Sequence, residues 1–302
     1  MKVLVTGGRG FIGQHCVSQL SAKGYEVHVV SSSPQVNTFG VQWHQSNLLD
    51  LTQTRNLVRA VKPSHLLHFA WNTEHGNYWT ASDNLSWVQA SLVLMQEFTE
   101  TGGVRFVSAG TCAEYDWTFD VCNETATPCR PTTLYGTAKY STQLILNSWS
   151  SLNGLSSAWG RIFFLYGPGE NSSRIVPSVI HALLRGETAH CINGEQLRDF
   201  LYVEDVATAF VALLESETKG VVNIASGVAV ELKDIVYTIA EHLGRQDLVQ
   251  LGTIPSSITN PRKLIADVRR LKDEVGFEPS FKLKQGIDLS INSIKNLIES
   301  RK

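Results

Sequence analysis

The chain has 302 residues, 43% hydrophobic and 18% charged, with a formal net charge of −2. That balance fits a globular protein with one core and a smaller lobe, and the absence of a basic run argues against nucleic-acid or membrane-surface partners. No apolar run approaches the roughly 20 residues that cross a bilayer, and a first strand at residue 2 or 3 leaves no room for a signal peptide, so a cytoplasmic protein is expected. The five cysteines (Cys16, Cys112, Cys122, Cys129, Cys191) are scattered, odd in number and lack a Cys-x-x-Cys pair. That suits free, packed thiols in a reducing compartment. The nine histidines show no metal-like grouping, so no metal is expected, and His65 and His68 beside an apolar run read as structural.

Strand and helix patterns alternate through the first half, which predicts an α/β fold with a doubly wound parallel sheet. A short buried strand at Val3 to Val5 precedes three glycines, and Phe11, Ile12, Val17 and Leu20 then recur at helical spacing. Further strands are expected at Tyr25–Val30, Val41–Gln45, His65–Ala70, Val104–Ala109 and Ser157–Leu165. The intervening helices are expected at Leu51–Val61, Asn84–Thr101 and Thr132–Ser151. After Tyr166-Gly167-Pro168-Gly169 the rhythm changes. A helix at Ile175–Arg185, a hairpin-like segment at His190–Gln196, a helix at Val203–Glu215 and a short strand at Val221–Ala225 are expected there. Leu232–Leu243, Val268–Val275 and Leu283–Ser300 read as helices.

Gly7, Gly10 and Gly13 stand between a strand and a helix. In that context glycines permit a tight turn and close approach of backbone to a pyrophosphate at the helix N-terminus. The turn also carries Arg9, Phe11 and Ile12. At the tip of the second strand, an acid would bind the ribose hydroxyls of NAD and repel the extra phosphate of NADP. This chain has Ser31, Ser32 and Ser33 there, with Arg9 to supply positive charge. The expectation is NADP(H) over NAD(H). Tyr135 and Lys139 fall at i and i+4 on one helix face, where an ammonium beside a phenol is expected to lower the phenol pKa.

The run Thr6-Gly7-Gly8-Arg9-Gly10-Phe11-Ile12-Gly13 resembles the extended branch of the short-chain dehydrogenase/reductase superfamily. Tyr135-Gly136-Thr137-Ala138-Lys139, Tyr166-Gly167-Pro168-Gly169 and Arg198-Asp199-Phe200-Leu201-Tyr202-Val203 extend the likeness to the NAD-dependent epimerase/dehydratase family. The resemblance implies a Rossmann-type domain at 1–166, to which the chain returns around 200–226, and a mixed α/β lobe at 167–302 that mainly binds a nucleotide sugar. It implies Thr111, Tyr135 and Lys139 as the catalytic set, with Thr111 favoured over Ser108. It implies cofactor contacts from Asn47 and Leu48 near adenine and from Phe69, Ala70 and Trp71, where the family has small residues beneath the cofactor. Arg198 and Arg262 become candidates for the nucleotide diphosphate, against plain salt bridges to Asp199 or Asp267. Asp205 reads as a helix N-cap. A homodimer through the two long helices is a further implication.

Three reactions compete within that family. A dehydratase needs an Asp-Glu pair after the catalytic Thr, where this chain has Cys112-Ala113 and Glu114 alone. An epimerase usually shows the acid that Ser31 to Ser33 lack. The stretch Gly110 to Trp117 resembles 4-ketoreductases of deoxysugar pathways, so reduction of a nucleotide-linked 4-keto-6-deoxyhexose is the leading expectation. The alternatives are epimerization, for example at C4, and, from another class, a non-catalytic NADP-sensing protein.

Overall fold

The computed structural model describes residues 1–37, 40–254 and 261–300. The first half of the chain forms β1 (Lys2–Thr6), α1 (Gly13–Ala22), β2 (Glu26–Ser31), β3 (Val41–Gln45), α2 (Leu51–Val61), β4 (His65–His68), α3 (Asn84–Glu100), β5 (Arg105–Thr111), β6 (Val121–Cys122), α4 (Leu134–Asn153) and β7 (Ser156–Ile162). Then follow β8 (Phe164–Tyr166), α5 (Ile175–Leu184), β9 (Ala189–His190), β10 (Leu197–Tyr202), α6 (Val203–Glu215), β11 (Gly220–Ile224), β12 (Ala229–Glu231), α7 (Leu232–Leu243), β13 (Val249–Gln250), β14 (Lys263–Ala266), α8 (Arg269–Asp273) and α9 (Leu283–Glu299).

Seven strands make one parallel sheet in the order β11-β7-β5-β4-β1-β2-β3. Both of its faces are covered, as an all-parallel sheet requires. Val3 and Val5 of β1 point into a core shared with α1 and α6, while Leu4 points into the opposite core with α2, α3 and α4. The strand order reverses at β1, with β2 and β3 added on one side and β4 and β5 on the other. The crevice beyond the carboxyl ends of β1 and β4 is where ligands bind in such sheets.

The second sheet runs β12-β10-β14-β6, with β8 also paired to β10. It stands against α5, α7 and α9, whose apolar faces (Val176, Ile180, Ile235, Ile239, Ile287) close a second core. Two expectations change here. The run read as one strand from 157 to 165 breaks at Phe163, whose amide bonds to Ile224 O. The chain then crosses sheets, and Phe164–Tyr166 pairs with Phe200–Tyr202. Of the segment read as a hairpin at 190–196, only His190 lies in a strand, β9, which pairs in parallel with the distant β13. Among the described residues, no helix is long and apolar enough to cross a membrane. All five cysteines are free, four of them buried.

Candidate active site

The glycine turn sits at the switch point. Gly7 adopts φ +68°, and a Cβ there would lie 2.8 Å from Ala70 N, so the turn presses directly on the backbone that follows β4. Gly10 closes the turn, donating its N–H to Gly7 O at 2.8 Å, and a Cβ on Gly13 would meet that same oxygen at 2.2 Å. No side chain caps α1, and although Gln14 N–H and His15 N–H turn back to Gly10 O and Ile12 O, the positive end of a helix dipole suits an anion. Arg9 is exposed, while Phe11 and Ile12 are half-buried.

The floor beneath the turn is fixed by a chain of hydrogen bonds through His68. Ser91 Oγ donates to Trp87 O at 2.7 Å, so it accepts from His68 Nε2 at 2.9 Å. The neutral ring then accepts at Nδ1 from Thr6 Oγ1 at 2.7 Å, and Thr6 Oγ1 accepts from Ala70 N. Burial pushes the His68 pKa down to about 3, and the charge on Lys139 adds to the effect. An unfolded chain titrates His near 6.5, so between about pH 3 and 6.5 the unfolded state holds the extra proton. Folding free energy contributed by His68 is therefore complete above pH 6.5 and lost on acidification, by about 1.4 kcal/mol per pH unit at most. The difference in urea midpoint between the wild type and His68→Gln is expected to shrink steadily from pH 7 to pH 4.5. A constant difference would exclude His68 as the titrating group.

Beyond β5 the chain makes a tight turn, Cys112–Glu114, with a capping box. Ala113 N–H donates to Thr111 Oγ1, and Thr111 N–H donates to Glu114 Oε1 at 2.8 Å. Glu114 is fully buried and also accepts from Trp159 Nε1 and from Arg161 Nε at 2.6 Å. Helix α4 lies on this turn, since a Cβ on Gly136 would meet Ala113 O at 2.5 Å. That contact brings Tyr135 to Thr111. Ser108 points elsewhere, its hydroxyl donating to His68 O.

Tyr135 is 8% exposed, and the rings of Trp71, Tyr78 and Trp79 all meet it edge-on. Burial pushes its phenol well above the ordinary value, Tyr78 adds to that, and hydrogen bonding with the Thr111 side chain opposes it. Burial thus outweighs the lowering expected from Lys139. Lys139 Nζ donates to Ala109 O at 2.9 Å and lies 3.9 Å from the centre of the Trp71 ring. Burial lowers its own pKa to about 7, with Glu114 opposing. The phenol therefore stays protonated, as a proton donor needs.

The other candidates spread around this centre. β4 ends at His68, and Phe69, Ala70 and Trp71 follow it as loop. Phe69 packs edge-on against Phe210, and Ala70 is buried under Gly7. Ser31 is buried at the tip of β2, with its hydroxyl taking Ser33 N–H, while Ser32 is exposed. Asn47 is exposed, its side chain holding Leu49 N–H, and Leu48 has its side chain buried in the core and its carbonyl accepting from Thr54 Oγ1 at 2.9 Å.

Arg198 is 4% exposed, donates to Leu197 O and rests over the Phe164 ring at 5.4 Å. Asp199 is no partner for it, because that carboxylate takes the amides of Ser226, Gly227 and Ala266. Arg262 is exposed, and Asp267 pairs with Arg269 rather than with it. Asp205 is no N-cap. Tyr202 holds the cap position, and Asp205 binds the amides of Ser280 and Phe281.

Sequence reasoning passed over two features. The Thr-x-x-Glu capping signature at Thr111–Glu114 marks Glu114. Glu170 had no sequence signal. Burial raises its carboxyl to about 8 against the pull of Arg174, and it lines a cavity of about 610 Å³ beside α5.

The sequence model of the NAD dependent epimerase/dehydratase family matches residues 3–225. The dTDP-4-dehydro-6-deoxyglucose reductase of Escherichia coli is 25% identical, with 97% of each chain covered. A UDP-glucose 4-epimerase of Rhizobium meliloti (strain 1021) is also 25% identical, with 93% of each covered. The UDP-glucose 4-epimerase of Thermotoga maritima, solved with UDP-glucose, superposes with a TM-score of 0.89 at 27% identity, covering 99% of this chain and 100% of that one. The seven-stranded parallel sheet, the glycine turn at its switch point and a family match spanning most of the length agree, and the chain belongs to the NAD dependent epimerase/dehydratase family.

Proposed function

We propose that this protein reduces the keto group of a nucleotide-linked 4-keto-6-deoxyhexose with NADPH, giving the 6-deoxysugar. The observation that carries this reading is Tyr135. It is a buried phenol held protonated beside Thr111 and one helical turn from Lys139, as suits donation to a forming alkoxide. The donor set also fits a dinucleotide. Gly7, Arg9, Gly10, Phe11, Ile12 and Gly13 would hold the pyrophosphate. Ser31, Ser32 and Arg9 would hold the 2′-phosphate, and Asn47 and Leu48 the adenine. Phe69, Ala70 and Trp71 would floor the nicotinamide.

When bound, the reduced nicotinamide supplies a hydride to C4 of the sugar. Tyr135 gives its proton to the carbonyl oxygen as that charge develops. Thr111 Oγ1 holds the same oxygen against Tyr135. The Lys139 ammonium would hold the nicotinamide ribose and would steady the phenolate left behind. Arg198, a buried cation whose neighbouring acid is otherwise engaged, would take the diphosphate, with Arg262 at the rim. The test is loss of NADPH absorbance, and separately NADH absorbance, with 4-keto-6-deoxyhexoses on CDP, dTDP and GDP. One-to-one oxidation with one of them is expected. The similarity to UDP-glucose 4-epimerases favours a second reading, epimerization. A changed sugar stereocentre with no net oxidation would replace the first reading by that one.

The same reading includes a homodimer. Thr137, Ser141, Leu144, Ile145, Ser148 and Leu152 form one stripe on α4, with Leu144 and Leu152 47% and 83% exposed, and the neighbouring α3 carries exposed Leu85. Uncovered leucines on two adjacent helices suit an isologous four-helix contact. Sedimentation is expected to give twice the chain mass, and Leu144→Glu the single mass. A wild type that sediments as one chain at micromolar concentration would remove the dimer.

A further inference from the structure

We propose that Trp71 is a positioning residue: its indole face is the seat of the Lys139 ammonium. The inference rests on the reading of Lys139 as part of the catalytic set. Position 71 is where the resemblance places a small residue beneath the cofactor, so the indole is a feature of this chain.

The geometry is that of a cation on a ring face. Lys139 Nζ stands 3.9 Å from the Trp71 ring centre, and the Trp159 ring flanks it at 5.9 Å. The platform is fixed from behind. Trp71 Nε1–H donates to Asn84 Oδ1 at 2.8 Å. The amide of Asn84 is itself locked, its Nδ2 donating to Tyr78 O and to Ala81 O. The Trp87 ring stacks behind the indole at 6.4 Å. An ammonium this deeply buried needs compensation, and the nearest carboxylate is committed elsewhere: Glu114 already serves Arg161, Trp159 and the Thr111 amide. The electron-rich ring face supplies part of what is missing.

The charged and titratable groups around Lys139 are Glu114 on the turn after β5, His68 at the end of β4, Tyr135 on its own helix and, through Glu114, Arg161 of β7. His68 is neutral near pH 7, so the ring, Glu114 and the Ala109 carbonyl that accepts from Nζ favour the ammonium. Removing the ring is expected to make the lysine lose its proton at lower pH.

The test titrates Lys139 directly through its carbon-13-labelled ε carbon, assigned with Lys139→Arg. Trp71→Leu is expected to lower the midpoint by about one pH unit, and Trp71→Phe by less. Fluorinated tryptophans installed at position 71 keep the shape and weaken the ring face. They are expected to lower the midpoint in order of fluorination with an unchanged melting temperature, even where Trp71→Leu fails to fold. A folded fluorinated protein whose Lys139 titrates as in the wild type overturns the proposal. In active protein, the alkaline limb of kcat should move with the midpoint, whereas a packing role alone would lower kcat equally at every pH. A shifted midpoint in a protein that turns over no nucleotide sugar upholds the seat and refutes the catalytic reading.

Discussion

Tyr135→Phe is expected to lower the rate of keto-sugar reduction by about 10³-fold, within the 10²–10⁴ that a positioned proton donor contributes. Phe keeps the ring that Trp71, Tyr78 and Trp79 surround, so the aromatic contacts survive. It removes only the hydroxyl that faces Thr111. The fold should therefore be unharmed, and loss of a desolvated hydroxyl should leave the melting temperature equal or slightly higher. Cofactor affinity should change less than twofold, because the glycine turn and the floor at Ala70 are untouched. Stopped-flow measurement of NADPH oxidation together with titration of cofactor fluorescence separates the two effects. Turnover above a tenth of the wild-type rate would remove Tyr135 as the proton donor. The direction of its pKa matters here. A phenol held above its ordinary value is a competent acid at neutral pH and a poor base, so the reverse oxidation should gain with rising pH far more than the reduction does.

The parts of this site that were legible in the sequence are those governed by local rules. The β1–glycine–α1 unit could be read because strand, turn and helix N-terminus are contiguous. The ends of α2 were readable for the same reason: Asp50 takes Thr52 and Gln53 amides, a cap visible as an acid before an apolar helical pattern. What escaped depends on partners distant in sequence. Phe163 gives its amide to Ile224 O as the last bond of the first sheet, the chain then pairs Phe164–Tyr166 with β10, and nothing within the apolar run 162–166 announces a break. Asp205 looks like a cap until a loop some 75 residues away brings it two amides. The Tyr135–Lys139 spacing correctly puts both on one helix. Whether the ammonium acts on the phenol is decided by Trp71, Ala109 and the aromatic wall, which come from other strands and loops. The spacing gave the constellation, and the tertiary environment set its protonation.

Glu114 shows how much of the chemistry rests on a group that touches no ligand. Glu114→Gln keeps size and an acceptor oxygen for Thr111 N–H and Trp159 Nε1–H, but it sets an amide against Arg161 Nε. Arg161 is 2% exposed and already has one nitrogen, Nη1, without a hydrogen-bond partner among the described residues. Stripping the carboxylate from such a pair leaves an uncompensated buried charge, so the folded state should lose about 3–5 kcal/mol, read as a lower urea midpoint at unchanged slope. The ion pair itself contributes less than that loss, since desolvation of both groups offsets much of their attraction. Accordingly Glu114→Gln combined with Arg161→Met should recover a large share of the stability, and the double-mutant cycle should show strong coupling. Stability and activity then part. The double variant regains its fold but not the charge that supports the Lys139 ammonium, so its kcat should stay depressed on the alkaline side. A double variant no more stable than Glu114→Gln would mean that the carboxylate acts through Thr111 and Trp159 alone, with Arg161 only a neighbour.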